Sequence, residues 1–559
     1  MTNTSPSTTM ADFASRVAGE FGERPAVRHK SGDEWIDISY RQLGDDVAQL
    51  AGGLIRLGVA PGDRVCILAN TRPEWIAVAL AISAAGGVVV PVYPTNSPEE
   101  CAWVAGNSAA EVVVCGDATQ AAKIAEVRSE LPGIEHVVLI DEDESGSLTL
   151  DDLRSGGPAP SEELARRAAL ATPDSPHTII YTSGTTGPPK GCVLSHRNLA
   201  TCAELVPASG LVQSDDVAYL YLPLAHIFAI LVQTGALAIG GCVAYYGGDI
   251  GKIVAELGEV RPTVLPSVPR IFEKIYALAA PTDGAPLDDE RRAFVRGLFG
   301  GRMRVAITGA APIAPDILEF FADCGVMVYE GYGLTETSGI ATVNLPGATR
   351  YGTIGRAYPG LDLRIGHDGE ILVKGPMVFT GYWGNSEATA EVIDDEGWFR
   401  TGDLGSVDAD GFFSITGRKK EILITAGGKN LAPANLENDL KQSRFISQAV
   451  MYADRKPYPV ILVTLDPEMV GPWAAQQGLP SDMAELIVTD EVRAMVQAEI
   501  DRVNAKYAAV EQVKKFAILD HDLTVDGGEL TPSLKMKRRV VYEKYNDIFE
   551  GMYADGGRS

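Results

Sequence analysis

The stretch Tyr181–Gly191 reads YTSGTTGPPKG, which gathers four small hydroxyl side chains, three glycines and two adjacent prolines around one lysine. These residue types suit an anion. Gly184 and Gly187 permit backbone conformations that turn N–H groups inward, Ser183, Thr185 and Thr186 add hydroxyl donors, and Lys190 supplies charge. Pro188 and Pro189 stiffen the exit. The chemistry indicated is a loop that wraps a phosphate chain, and an ordered set of this kind is more specific than a polar turn. The pattern is not G-x-x-x-x-G-K-S/T and does not run straight into a helix, so a P-loop nucleotidase is disfavoured.

The elements that must hold this loop are legible on either side. HTIIYT before it is a strand, GCVLSH after it a second strand, and a helix starts near Asn198. Elsewhere apolar strand-like runs alternate with helical patterns: RVCILAN, a helix after Glu74, then VVVPVY; EVVVCG, a helix from Gln120, then HVVLID. That alternation predicts parallel sheets covered by helices. After about Gly355 the texture changes to short strands and turns (LDLRIG, HDGEILVKG, DADGFFSITG), an antiparallel β region. A composition break at GRKKEILITAGGKN sets a boundary near Arg418–Lys420, and a smaller mixed segment follows. The ends, 1–10 and 551–559, are expected to be disordered.

Composition narrows the class. At 559 residues the chain exceeds one core, and 46% hydrophobic with 22% charged residues is ordinary for a soluble globular enzyme. The net charge of −26 argues against nucleic acid and against electrostatic docking on anionic lipid, although a local basic patch could still act. Seven cysteines (66, 101, 115, 192, 202, 242 and 324) contain no CxxC pair and read as small buried hydrophobes in a reducing compartment, the cytoplasm. The N-terminus MTNTSPSTTM has neither a basic nor an apolar targeting region. Two apolar runs, 75–93 and 231–246, each break at a Gly-Gly pair and continue in strand-forming residues. They read as buried helix, glycine turn and buried strand, not as membrane spans. Peripheral membrane contact and oligomeric state are left open.

TSGTTGPPKG resembles the phosphate loop of the adenylate-forming (AMP-binding) superfamily of acyl-CoA synthetases, luciferases and peptide-synthetase adenylation domains. Six further motifs resemble those of the family, in its order: PLAHIF at 223–228, GAAP at 309–312, YEGYGLTET at 329–337, GWFRTGD at 397–403, GRKKEILITAGGKNLAP at 417–433 and LTPSLKMKRR at 530–539. The resemblance implies an α/β fold with two parts. Residues 1–417 would form a large N-terminal domain of helix-covered sheets with a β-barrel-like subdomain, and 418–559 a small mobile α+β C-terminal domain.

It also implies site roles. ATP would be held by Thr182, Ser183, Gly184, Thr185, Thr186, Gly187 and Lys190 at the phosphates, and by Ala310, Ala311, Glu330, Gly331 and Tyr332 around adenine. Tyr332 would stack on the base, the two alanines being small enough to let the ring lie against the backbone. Asp403 would accept both ribose hydroxyls, a bidentate task that suits a carboxylate, with Arg418 donating to the same sugar. Thr335 would donate to the α-phosphate, and Glu336 would hold Mg²⁺, a hard cation that takes carboxylate oxygen while bridging phosphates. His226 would lie beside the acyl carboxylate. Lys535 would act in catalysis by offsetting charge between carboxylate and α-phosphate, Lys420 would be the hinge, and Gly428 would line the path of CoA. His196 reads as a helix-start residue without function, and Tyr245 and Tyr246 as acyl-pocket lining or packing.

The implied reaction is ATP-dependent activation of a fatty acid through acyl-AMP, then transfer to CoA with release of AMP. SVPRIFEKIY at 267–276 resembles a segment of long-chain and very-long-chain synthetases, which points to a medium- to long-chain acid. HIFAI at 226–230 departs from that pattern, since those enzymes often carry charges after HIF, and the region 281–300 is short. The rival readings are a fatty acyl-AMP ligase that loads a carrier protein, a non-catalytic acyl- or nucleotide-binding relative, and a luciferase-like oxygenase.

Overall fold

The computed structural model describes residues 9–141, 146–182, 188–280, 287–531 and 535–554. Two large sheets dominate the chain up to Arg418. One has eight strands, with Arg64–Leu68 at its centre, flanked in parallel by Val88–Val92 and Val112–Cys115. These strands are continuous apolar runs because helices cover both faces. Pro176–Thr182 lies beside Val88–Val92, and Lys190–Ser195 pairs with it antiparallel, Thr182 opposite Lys190. The expected strands on either side of the phosphate loop therefore form one hairpin. Residues 183–187, the loop tip with Ser183, Gly184, Thr185, Thr186 and Gly187, lie outside the described residues.

The second sheet has thirteen strands and changes character along its width. From Pro25–Ser31 through Cys242–Tyr245, Val217–Leu220, Val264–Ser267 and Val305–Thr308 to Val328–Tyr332 the pairing is parallel. Beyond Val328–Tyr332 it is antiparallel, through Thr342–Val343, Gly355–Ala357, Phe412–Arg418 and Phe399–Val407 to Glu370–Lys374 and Asp362–Ile365. The antiparallel strands expected after Gly355 are thus hydrogen-bonded onto the end of the parallel sheet. Past the 418–420 boundary, a three-stranded sheet of Ile446–Tyr452, Val460–Leu465 and Lys515–Ile518 carries its own apolar clusters and helices.

Both long apolar runs fold as read. Pro73–Ala84 is a buried helix that turns at Gly86 (φ 85°) into Val88–Val92, and Ile227–Ala238 turns at Gly240 (φ 80°) into Cys242–Tyr245. No helix among the described residues is long and apolar enough to cross a membrane. All seven cysteines are buried and unpaired.

The helix expected near Asn198 starts at His196, where Ser195 caps it: Asn198 donates its N–H to Ser195 Oγ, and its Oδ1 accepts the Ser195 N–H at 2.8 Å. Two expectations need correction. Met10 is buried and donates its N–H to His196 Nδ1 at 3.1 Å, so the chain is ordered before residue 11. At the other end 551–554 is helical, because Met552 packs with Phe549 and Val541. Polar composition hid both anchors.

The antiparallel arm, where Gly355–Ala357 pairs with Thr342–Val343, tolerates no side chain at Gly355. Its φ is 88°, and a Cβ there would lie 2.1 Å from the Val343 carbonyl carbon. Gly355→Ala should cost about 2–4 kcal/mol, from left-handed strain plus overpacking. A denaturant midpoint within error of wild type would show that the arm can relax.

Candidate active site

The parallel strands of the large sheet end on one side, where open α/β sheets place their ligands. Val305–Thr308 delivers Gly309–Pro312, and Val328–Tyr332 delivers Gly333–Glu336. These segments form the wall of a cleft of about 2850 Å³ whose opposite wall comes from residues beyond 418. The two delivering loops pack backbone to backbone. A Cβ on Gly309 would lie 3.0 Å from the Gly331 carbonyl, one on Gly333 2.4 Å from Gly339, and Ala310 has φ 67°. A left-handed alanine is strained and is held there by its surroundings.

Tyr332 and Asp403 meet across the sheet. The Tyr332 phenol donates to Asp403 Oδ2 at 2.6 Å, and Arg418 Nε stands 3.0 Å from Oδ1, the register having set Asp403 opposite Arg418. Asp403 is only 2% exposed, so its charge is paired as a buried carboxylate requires. Each carboxylate oxygen keeps a lone pair for a further donor. Burial, then Asp403, pushes the Tyr332 phenol well above its usual range, so it stays a donor.

Thr335 and Glu336 occupy a single turn of 3-10 helix, Thr335–Thr337. The Tyr382 phenol donates to Glu336 Oε1 at 2.9 Å, and the Lys190 ammonium sits over the Tyr382 ring, 5.0 Å from its centre. Tyr382 was missed in the sequence, where GYW matches none of the motifs read there. It reaches the site because Gly381–Tyr382 adds an antiparallel edge to Lys190–Ser195. Among the described residues no three His, Cys, Asp or Glu side chains cluster as a metal site. A carboxylate beside the Lys190 ammonium in an open cleft fits Mg²⁺, which is bound by one or two carboxylates plus substrate oxygens.

Lys535 comes from the far end of the chain into this cleft. Its carbonyl accepts the Thr531 N–H at 2.7 Å and its N–H donates to Thr531 Oγ1 at 3.0 Å. Nearby Arg538 makes a two-pronged ion pair with Glu437, at 2.6 and 2.7 Å, which fixes the start of the Arg538–Lys544 helix. The cations around Lys535 are therefore not one solvated face: Arg538 is half-buried in its ion pair, while Lys535 and Arg539 are exposed. Desolvation within the cleft, then the Arg418 charge, lowers the Lys535 pKa, with Glu336 and Asp403 opposing.

His226 lines the cleft and also caps Ile227–Ala238, its Nδ1 accepting the Phe228 N–H at 3.2 Å. Burial, then the Lys535 charge, pushes it down to about 3, so it is neutral at physiological pH. Thr182, Ala310, Ala311, Glu330, Gly331 and Lys420 also line the cleft. Gly428 does not, and is placed in the turn between Leu423–Ile424 and Asn430–Leu431 with φ 77° and open space where a Cβ would go. Here its backbone, not crowding, asks for glycine. His196 serves as a helix start and an acceptor for Met10. Tyr245 is fully buried and donates to Gln233, so it packs; Tyr246 does not line the cleft.

Residues 14–383 match the family model described as AMP-binding enzyme, and 420–556 match that of the AMP-binding enzyme C-terminal domain. A long-chain-fatty-acid–CoA ligase of Mycobacterium bovis is 39% identical over 93% of this chain and 92% of its own. One of Xenopus laevis is 32% identical over 99% of this chain and 84% of its own. The adenylation domain of a carboxylate reductase from Mycobacterium chelonae superposes with a TM-score of 0.82, over 98% of this chain and 92% of that one. At 21% identity that likeness carries the fold alone.

Glu330 gives the site a pH signature. It is buried beside Ile313, and burial raises its carboxyl to about 8, against the weaker opposing pull of the Ile313 N–H. Between its unfolded pKa, about 4.5, and 8, the folded protein holds a proton that the unfolded chain has lost, so this group's contribution to stability falls as pH rises. Glu330→Gln, which cannot ionise, should gain stability relative to wild type at pH 8 compared with pH 5. Unfolding midpoints offset equally at both pH values would mean that the carboxyl is not held neutral.

Proposed function

The chain belongs to the AMP-binding enzymes, and on that premise we propose that it activates a medium- to long-chain fatty acid with ATP and transfers the acyl group to CoA. One observation carries this reading: Lys535 stands in the same cleft as Asp403 and Glu336, and that cleft has an apolar branch. The branch is lined by Val206, Leu211, Val212, Phe228, Leu231 and Val232, from the end of His196–Ala208, the bend after it and the first half of Ile227–Ala238. The names of the two ligase relatives support the same acid class.

The chemistry follows from charge. The fatty carboxylate attacks the α-phosphorus of ATP, pyrophosphate leaves, and acyl-AMP remains. Two anions must approach, so Lys535 and Lys190 offset their repulsion, Thr335 donates to the α-phosphate, and Asp403 with Arg418 holds the ribose. Thr182 and Lys190, at the two ends of the phosphate loop, serve the β- and γ-phosphates. Tyr332, Ala310, Ala311, Glu330 and Gly331 frame adenine, and neutral His226 borders the carboxylate entrance. Glu336 is the protein ligand for Mg²⁺, which supplies charge neutralisation at the phosphates. In the second step the CoA thiol attacks the acyl carbonyl and AMP leaves with the bonding pair.

The two steps need different neighbours. Residues 418–559 act as the mobile domain against 1–417 and pivot at Lys420, which withdraws Lys535 and brings Gly428 to the CoA path. The reaction runs in the cytoplasm, where seven buried thiols stay reduced.

Lys535→Ala should slow adenylation by roughly two to three orders of magnitude, the scale for removing a preorganised charge-stabilising donor. Thioester formation from supplied acyl-AMP and CoA should survive. Lys420→Pro, which fixes φ and removes an N–H, should do the reverse. Both half-reactions are to be measured in both variants; equal losses in the two steps would sink the alternation.

Chain length tests the apolar branch. Each buried methylene is worth about 0.8 kcal/mol, so kcat/KM should climb with acyl length until the branch is full. Val232→Phe should move the optimum to shorter acids. An unchanged profile, or a wild-type preference for acetate or an aromatic acid, would place the acyl chain elsewhere.

A further inference from the structure

SVPRIFEKIY, tied in the sequence to acyl-chain length, folds into a helix with two unlike faces. In Pro269–Ala279, Phe272, Ile275 and Ala279 are buried, Phe272 against Phe299 and Phe321. Arg270, Glu273 and Lys274 share the opposite side at i, i+3 and i+4 spacing. This side faces the residues beyond the hinge. Arg270 Nη2 donates to Asp466 Oδ2 at 2.5 Å, and Lys274 Nζ to Glu468 Oε2 at 2.9 Å. Glu273 sits between them, and burial raises its carboxyl against the opposing charges of Lys441 and Arg270. Two cations on the helix thus meet two carboxylates across the gap.

Among the described residues, the ion pairs that join residues before 418 to residues beyond 421 are these two. Their placement against the helix dipoles is uneven. Asp466 caps Pro467–Gln476 and Glu468 lies in its first turn, where negative charge is favoured. Arg270 lies in the first turn of its own helix, where a cation is not. The arginine therefore serves the contact, not its helix. Partly exposed pairs are also weak, which suits a contact that must open in every catalytic cycle.

We propose that this charged helix face is a docking surface that holds the C-terminal segment with Lys535 in the cleft, and so sets how the enzyme divides its time between its two half-reactions. Arg270 and Lys274 are positioning residues, acting through Lys535. The inference rests on the acyl-CoA ligase reading given above.

The test uses the full-length chain and two half-reaction assays, pyrophosphate release with fatty acid and ATP, and thioester formation from supplied acyl-AMP and CoA. Arg270→Glu with Lys274→Glu should slow adenylation about tenfold, as expected for losing coupled contacts, and leave thioester formation equal or faster. Raised salt should shift the wild type the same way. Lys274→Glu with Glu468→Lys swaps one exposed pair at little risk to folding, and should restore the adenylation rate that Lys274→Glu alone loses. Equal losses in both steps, or no rescue by the swap, would overturn the docking role. Variants matching a fully active wild type in both steps would overturn it alone, whereas a wild type that forms no adenylate would overturn the ligase reading beneath it.

Discussion

The cleft hangs on one hydrogen bond, from the Tyr332 phenol to Asp403 Oδ2 at 2.6 Å. It joins the last residue of a parallel strand to a residue in the antiparallel arm, and so ties the two halves of the thirteen-stranded sheet at the point where a ligand would sit. With Arg418 on the other oxygen, a buried carboxylate is fixed in rotation and paired on both oxygens. The other groups on this wall are set by backbone around that pair. The backbone contact of Gly309 with Gly331 positions the strained Ala310, and the turn after Tyr332 sets out Thr335 and Glu336.

Electrostatics in the cleft differs from that of the chain. The chain carries 74 acidic against 48 basic residues, whereas cations such as Lys190, Arg418, Lys420 and Lys535 balance the carboxylates that line the cleft. A polyanionic substrate is repelled by the net charge at long range, but beyond about 8 Å that repulsion is screened at physiological salt. What it meets inside is a local balance of charge, with Lys190 and Lys535 facing Glu336 and Asp403 across one cavity. The neutral imidazole of His226 belongs to the same arrangement, since burial first and the Lys535 charge second disfavour a second proton.

Much of this was legible because the motifs are short and act through their own backbone. GAAP and EGYG state in four letters each where small residues must lie, and the buried parallel strands announce themselves as unbroken apolar runs. Contacts set by register were not legible. Tyr382 reaches Glu336 only because Gly381–Tyr382 pairs with Cys192 and Val193, a choice that no local pattern specifies. Arg270 and Lys274 look like the solvated face of an amphipathic helix, and nothing within ten residues names Asp466 and Glu468 as their counterparts. Met10 and Met552 were lost in polar tails for the same reason, each being ordered by residues distant in sequence or by its helix.

The sheet order also has a bearing on synthesis. The strand Pro25–Ser31 pairs in parallel with Cys242–Tyr245, Val27 opposite Val243, so it waits for a neighbour made more than two hundred residues later. At ribosomal rates of about 5–20 residues per second that interval is roughly 10–40 s. During it the strand has only the hairpin with Glu34–Ser39 and leaves its other edge unpaired. The eight-stranded sheet is complete except for its Gly381–Tyr382 edge once Ser195 has emerged, and can fold first. On the nascent chain, then, the amino-terminal hairpin is the segment that most needs a chaperone.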